Sequence, residues 1–376
     1  MDHQPMPRRA SIELLGRCLA FRRDPGEHAA LREQLFASPT LWGELTDLAV
    51  HEDLAQPLEQ SLRACALLPS QFVPAHAGAE AADCGLIGAA MARGQRREAL
   101  ARELREVLAR LNRVGIAPIV IKGAQSLLTG EPAWRSMADF DLLAPDRAEE
   151  AQAQLMAMGY SVPDGYAERT QRHHLPPLLR DGCGAAIEIH RRSGNQYVRT
   201  LLPTRELADA SIPGSQDGVR FRLLPLPLHV LYGVVHNHVG HAGDARGNII
   251  LRSLYEFAWD MSRMGEPDRI ALKARADRHP RLGAALDMWI AAAAELFRLP
   301  VEAPFAVRDD AVRRWKGTLA RIGQPRPWYK YPGYPDEIRM GLAAHRVRAA
   351  PGGAHLPGRM WTRTRVIRSF FPRFAK

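Results

Sequence analysis

No apolar run in these 376 residues approaches the roughly 20 uncharged positions that a bilayer-spanning helix needs. The longest candidate, 286–297, is interrupted by Asp287 and Glu295. Cysteine is scarce. Cys18, Cys65, Cys84 and Cys183 lie far apart and form no Cys-x-x-Cys pair, which excludes a zinc ribbon and a disulfide framework and fits a reducing cytoplasm. Residues 1–21 hold no continuous apolar core, because Glu13 and Arg17 break it and no small-residue cleavage site follows, so no export signal is expected. There is no internal repeat and no low-complexity bias that would indicate a collagen-like or disordered chain.

What is present is ordinary globular composition, 46% hydrophobic and 24% charged, in a chain long enough for two or three domains. Its charge is unevenly placed. Residues 313–376 hold 15 Lys and Arg against Asp336 and Glu337, so the net charge of +10 resides in the last sixth of the chain. Such a segment attracts nucleic acid, an anionic membrane surface or an acidic partner alike, and an anionic partner at this tail is expected without its kind being specified. The run 359–371 interleaves cations with Trp361, Phe370 and Phe371 and fits equally a terminal helix folded onto its own domain.

Periodicity divides the chain. Ser38-Pro39 before Leu41, Leu45 and Leu48 reads as a capped helix, and Leu100, Leu104, Leu108 and Leu111 form one stripe of a long helix over 86–112. After Gly115 the pattern changes to short β-branched runs at 116–121, 139–143 and 185–190, separated by helical stretches, which describes a small α/β core. From about Leu226 helical spacing returns over 228–239, 249–261, 268–278 and 284–298, and beyond Pro325 periodicity fades. The expected regions are a helical one at 1–112, the core at 113–225, a second helical one at 226–324 and the basic tail at 325–376.

Within the core, Asp139 and Asp141 are two apart on a strand, so their carboxylates project together while Phe140 faces the other way. Two like charges so close repel unless a cation lies between them. Mg²⁺ suits such a pair, since it takes one or two carboxylates with substrate phosphates and water. Glu188, between Ile187 and Ile189 and on the face of His190, is a third candidate carboxylate. If its strand neighbours that of the aspartates, three acids meet at a two-metal centre able to clamp the attacking and leaving oxygens of a phosphoryl displacement. Upstream, Lys122-Gly123 between a strand and a helix offers a cation and a bare backbone to phosphate oxygens, and Arg135 offers a guanidinium.

These residues carry a resemblance. Ile121-Lys122-Gly123-Ala124, then Arg135-x-Met137-x-Asp139-x-Asp141-Leu142-Leu143, then Ile187-Glu188-Ile189-His190 is similar to the uncharacterised bacterial nucleotidyltransferases of the DNA polymerase β-like superfamily. The resemblance is close over 116–190 and looser over 228–261, where His236/His238 and Glu256 match a His-bearing helix and an acidic helix. It implies an α+β fold with a small mixed sheet flanked by helical regions, and transfer of NMP from an NTP to an acceptor hydroxyl of a small molecule, a peptide or protein, or an RNA end. By position, Asp139, Asp141 and Glu188 would be catalytic and would hold Mg²⁺, two ions being expected. Lys122, Gly123, Ala124, Ser126 and Arg135 would bind the nucleotide. Ala124 stands where the superfamily usually has Gly or Ser, so Ser126 is the nearest hydroxyl, and Arg191 replaces a common aromatic residue.

The other histidines read as packing or loop positions. His236 and His238 share no helix face, no acid or cysteine completes a zinc set with them and His229 or His241, and His173-His174 precedes Pro176-Pro177. The competing reading of the whole chain is a nucleotidyltransferase-like module without turnover that binds a protein or nucleic acid.

Overall fold

Ile119-Val120-Ile121, Asp139-Phe140-Asp141-Leu142-Leu143 and Ala186-Ile187-Glu188-Ile189-His190 form the strands β1 (Ile119–Ile121), β2 (Asp139–Leu143) and β3 (Ala186–His190). The structure, a computed structural model, describes residues 8–37, 39–68, 85–164, 173–240 and 250–320. Ser38, Cys84, His241 and the basic tail at 325–376 lie outside the described residues.

Two further strands, β4 (Ile212–Gln216) and β5 (Val219–Leu223), complete the sheet in the order β3-β2-β1-β5-β4. β2 runs antiparallel to β1 and parallel to β3, β1 is parallel to β5, and β4 is antiparallel to β5. The sheet is therefore mixed and the fold α+β, as the resemblance implied. The β4–β5 hairpin was not anticipated from the sequence. Pro213 and Gly214 suppress the strand pattern of β4, although Asp217-Gly218 is a hairpin signal. Both turn residues adopt the positive φ this turn demands, +50° and +77°.

The N-terminal helices are α1 (Arg8–Cys18), α2 (Pro25–Ala37), α3 (Pro39–His51), α4 (Ala55–Ala64) and α5 (Gly85–Arg113). With 29 residues, α5 is about 43 Å long at 1.5 Å per residue and serves both halves of the molecule. Leu86 near its start is buried with the other N-terminal helices, whereas Leu100, Leu104, Val107, Leu108 and Leu111 pack against the sheet. The short helices α6 (Gln125–Thr129), α7 (Ala148–Met156), α8 (Gln196–Leu201) and α9 (Thr204–Ala210) connect the strands. After β5 come α10 (Leu226–Val234), α11 (Leu251–Arg263), α12 (Glu266–Asp277), α13 (Pro280–Phe297) and α14 (Asp309–Leu319). The expected single helix over 228–239 loosens after Val234 into a π-helical stretch, Val235–Gly240, a wider turn that recurs at functional sites.

Strand alternation sends the two sheet faces into different surroundings. Val120, Phe140, Leu142, Ile187 and Ile189 join the α5 stripe in one core. Ile119, Ile121 and Leu143 point to the other face and join the core formed by the N-terminal and C-terminal helices. Asp139, Asp141, Glu188 and His190 occupy this second face. Among the described residues no helix is long and apolar enough to cross a membrane.

Candidate active site

The β2–β3 register decides the centre of the site. Asp141 pairs directly with Glu188, and Leu143 with His190, so in-register side chains on the same face bring both acids and the imidazole together. Phe140 between the aspartates is fully buried in the sheet core and fixes which way they point. Asp141 is buried, while Asp139 and Glu188 are half-buried.

Two donors converge on one oxygen. Lys122 Nζ donates to Asp141 Oδ1 at 2.7 Å, and His190 Nε2 lies at 2.7 Å from the same atom. Among the described residues Oδ2 accepts no hydrogen bond. Burial alone would raise the Asp141 carboxyl, but Lys122 and His190 reverse this and hold it well below the usual carboxylate range. Burial lowers both donors, and the carboxylates overcome it, so Lys122 and His190 end above their ordinary values. Glu188 is pushed up by burial and by Asp141, but His190, whose Nε2 is 3.6 Å from Oε2, together with His174 and Lys122 outweighs them and leaves it below its ordinary value. Asp139 differs. Burial and the adjacent Asp141 raise it, and no hydrogen bond reaches its carboxyl among the described residues.

Lys122 closes β1 and opens a tight turn, Lys122–Ala124, with its own φ at +55°. Gly123 follows because there is no room for a side chain: a Cβ there would stand 2.7–2.8 Å from the guanidinium of Arg135. That guanidinium is itself held, with Nε donating to Glu256 Oε1 at 2.8 Å and Nη1 donating to the Ser136 carbonyl. Arg135, expected as a phosphate ligand, is thus paired with Glu256 of α11 and backs the glycine turn. Ala124 is turned into the sheet core. Ser126 is buried as well; its Oγ donates to the Gly123 carbonyl at 2.8 Å and accepts from Arg97 at 3.1 Å. Its hydroxyl braces the turn from behind.

A cavity of about 230 Å³ opens beside this turn. Lys122, Gly123, Arg135, Asp139 and Asp141 form one wall, and residues of α10, the π-helical stretch, α11 with Ile250 before it, and α13 form the rest. Glu188 is not part of the wall. In the sheet order it lies on the β3 side of Asp141, whereas Lys122 lies on the β1 side. His174, read as a loop residue, bridges to His190 in β3, and its Nε2 is 3.9 Å from Glu188 Oε2. His173 meets it edge-to-face at 4.7 Å and is pushed down to about 3 by burial and the neighbouring imidazoles. His236 does line the cavity, its ring parallel to Tyr232. His229, read from sequence as a packing position, also lines it, as do Arg252 and Asp260, which were not singled out from sequence. The available signal was that Arg252, Glu256 and Asp260 are spaced four apart on one helix face.

The family described as uncharacterised nucleotidyltransferase matches residues 38–298, more than half of the chain. The chain belongs to this family. Comparison with curated proteins gave no match, and comparison with solved structures gave none. The match takes in the sheet, the Lys122-Gly123 turn, the acidic cluster and the helices that wall the cavity. Asp141, Glu188 and His190 place one ligand atom each within 4.8 Å of one another, a spacing able to hold a metal ion.

Proposed function

We propose that the chain transfers a nucleoside monophosphate from an NTP to an acceptor hydroxyl, with Mg²⁺ held by Asp139, Asp141 and Glu188. One observation carries this reading: Asp139, half-buried beside Asp141, has a raised carboxyl that no hydrogen bond reaches among the described residues, next to an open cavity and a lysine-glycine turn. A divalent ion would satisfy that carboxylate and Oδ2 of Asp141, which accepts no hydrogen bond among the described residues. The oxygen donors suit Mg²⁺, and His190, already bonded to Asp141, fits as the outer group that orients it. Bound there, the metal would neutralise charge on the phosphates and on the attacking and leaving oxygens.

The protein's own groups account for the rest. The Lys122 ammonium and the backbone of Gly123 and Ala124 cradle the phosphates. The acceptor oxygen attacks the α-phosphorus, the bond to the β-phosphate oxygen breaks, pyrophosphate leaves, and the hydroxyl proton passes to a carboxylate oxygen of Glu188. Glu188 stands ionised on the β3 flank, outside the cavity lining, with a carboxylate oxygen available to the acceptor. Arg135, locked to Glu256, keeps the turn in place. Catalysis is then mainly positioning and charge neutralisation.

The test is incubation with each α-labelled NTP and a panel of acceptors, including the protein itself, in Mg²⁺ and in EDTA. Label should move to acceptor only with metal, and Asp139→Asn with Asp141→Asn should abolish it while circular dichroism is unchanged. Binding of an RNA or protein partner without metal, with no label ever transferred, would replace this reading by a module without turnover.

A further inference from the structure

Beyond the acidic wall, the cavity continues between α10 and α11 and is floored by α13. Its character changes there. Val230, Val234, Phe257 and Trp289 supply apolar walls, with the Phe257 and Trp289 rings edge-to-face at 5.5 Å. Asp260 of α11 lines the cavity as well, together with His229 and Ser253; it is only 7% exposed, and no hydrogen bond reaches its carboxyl among the described residues. His229 Nε2 stands 3.8 Å from Oδ2, too far for a hydrogen bond. A buried polar group without a partner is destabilising unless something supplies the bond.

We infer that this half of the cavity is the nucleobase subsite and that Asp260 pairs with the hydrogen-bonding edge of the base. This rests on the nucleotidyltransferase reading. With the triphosphate at the Lys122-Gly123 turn, the nucleoside extends into the remaining space, and Glu188, which serves the acceptor, lies outside it. Apolar and aromatic faces with one polar group on the edge are how proteins hold an unstacked base. Burial and Glu256 push the Asp260 carboxyl up to about 8 against the pull of Arg263 and Arg135, so at neutral pH it is mostly the neutral acid. In that form it gives one donor and one acceptor side by side, which the pairing edge of a base complements. His229, lowered by burial, stays neutral beside it and adds no charge.

Calorimetric titration of the full-length protein in Mg²⁺ tests this, comparing the four NTPs with inorganic tripolyphosphate, which has phosphates but no nucleoside. The best NTP should bind at least tenfold tighter than tripolyphosphate. Asp260→Leu should erase about tenfold of that advantage without weakening tripolyphosphate, and Asp260→Asn, which keeps a donor and an acceptor, should retain it. Ser253→Trp, filling the same half from α11, should bring the NTP down to tripolyphosphate affinity. An NTP no tighter than tripolyphosphate, or an Asp260→Leu effect equal on both ligands, overturns the subsite and leaves the enzyme reading standing. If neither ligand binds in a metal-dependent way, both fail.

Discussion

Lys122 places its ammonium 2.7 Å from Oδ1 of Asp141 from a backbone held at φ +55°, a left-handed conformation that a side chain with a Cβ adopts at a cost. The strain lies where the buried carboxylate needs a cation and where the chain must turn for Gly123 to meet Arg135. Strain of this kind, about 1–3 kcal/mol, persists at functional sites because the surroundings over-determine it.

Lys122→Gly and Lys122→Ala separate strain from charge. Both should cut metal-dependent transfer by about a hundredfold or more, since both remove a cation aimed at developing charge. In urea unfolding the Gly variant should be about 1 kcal/mol more stable than the Ala variant, because glycine adopts positive φ freely. Equal stability would show that φ is not under strain.

Asp139→Asn should stabilise the metal-free protein and destroy its response to metal. The sign follows from its raised pKa: the folded state prefers the protonated carboxyl, so stability falls as pH rises from the unfolded value through the folded one, and at neutral pH ionisation opposes folding. In EDTA the variant should melt above wild type, and Mg²⁺ should raise the melting temperature of wild type only. A variant that melts lower in EDTA contradicts the crowding of Asp139 and Asp141.

Gly123→Ala should cost about 1–3 kcal/mol and weaken triphosphate binding, because the new methyl displaces a guanidinium anchored on Glu256 and Ser136. Truncating the obstacle tests the cause. Adding Arg135→Ala to Gly123→Ala should give a smaller total loss than the two single changes summed, and strict additivity would refute the contact.

Asp260 gives a pH signature independent of the metal site. With a folded pKa of about 8 against an unfolded value near 3.8, the folded protein keeps a proton that the unfolded chain releases, so stability declines as pH rises through that window. The difference in urea stability between wild type and Asp260→Asn should therefore shift in the variant's favour from pH 5 to pH 8. A constant difference would mean that this carboxyl titrates normally.

Much of the site was legible because it depends on spacing along single strands. Asp139 and Asp141 share a face because strands alternate, and the apolar neighbours of Glu188 marked a strand with its acid on the face of His190. The β4–β5 hairpin escaped because Pro213 and Gly214 obscure alternation in an edge strand. Asp260 escaped for another reason. An acid one turn beyond Glu256 reads as an ordinary solvated helix position until packing against α10 and α13 removes the water.

By itself the chain's chemistry determined the local elements, the carboxylate pair and the lysine-glycine turn, since each follows from periodicity and residue type over a few positions. Only the tertiary structure decided that β3 lies parallel beside β2 in the register that sets Glu188 against Asp141. It also decided that Arg135 is tied to Glu256 across 121 residues and that Ser126 faces inward. These are long-range pairings, settled by which apolar faces bury together, and nothing in local spacing encodes them.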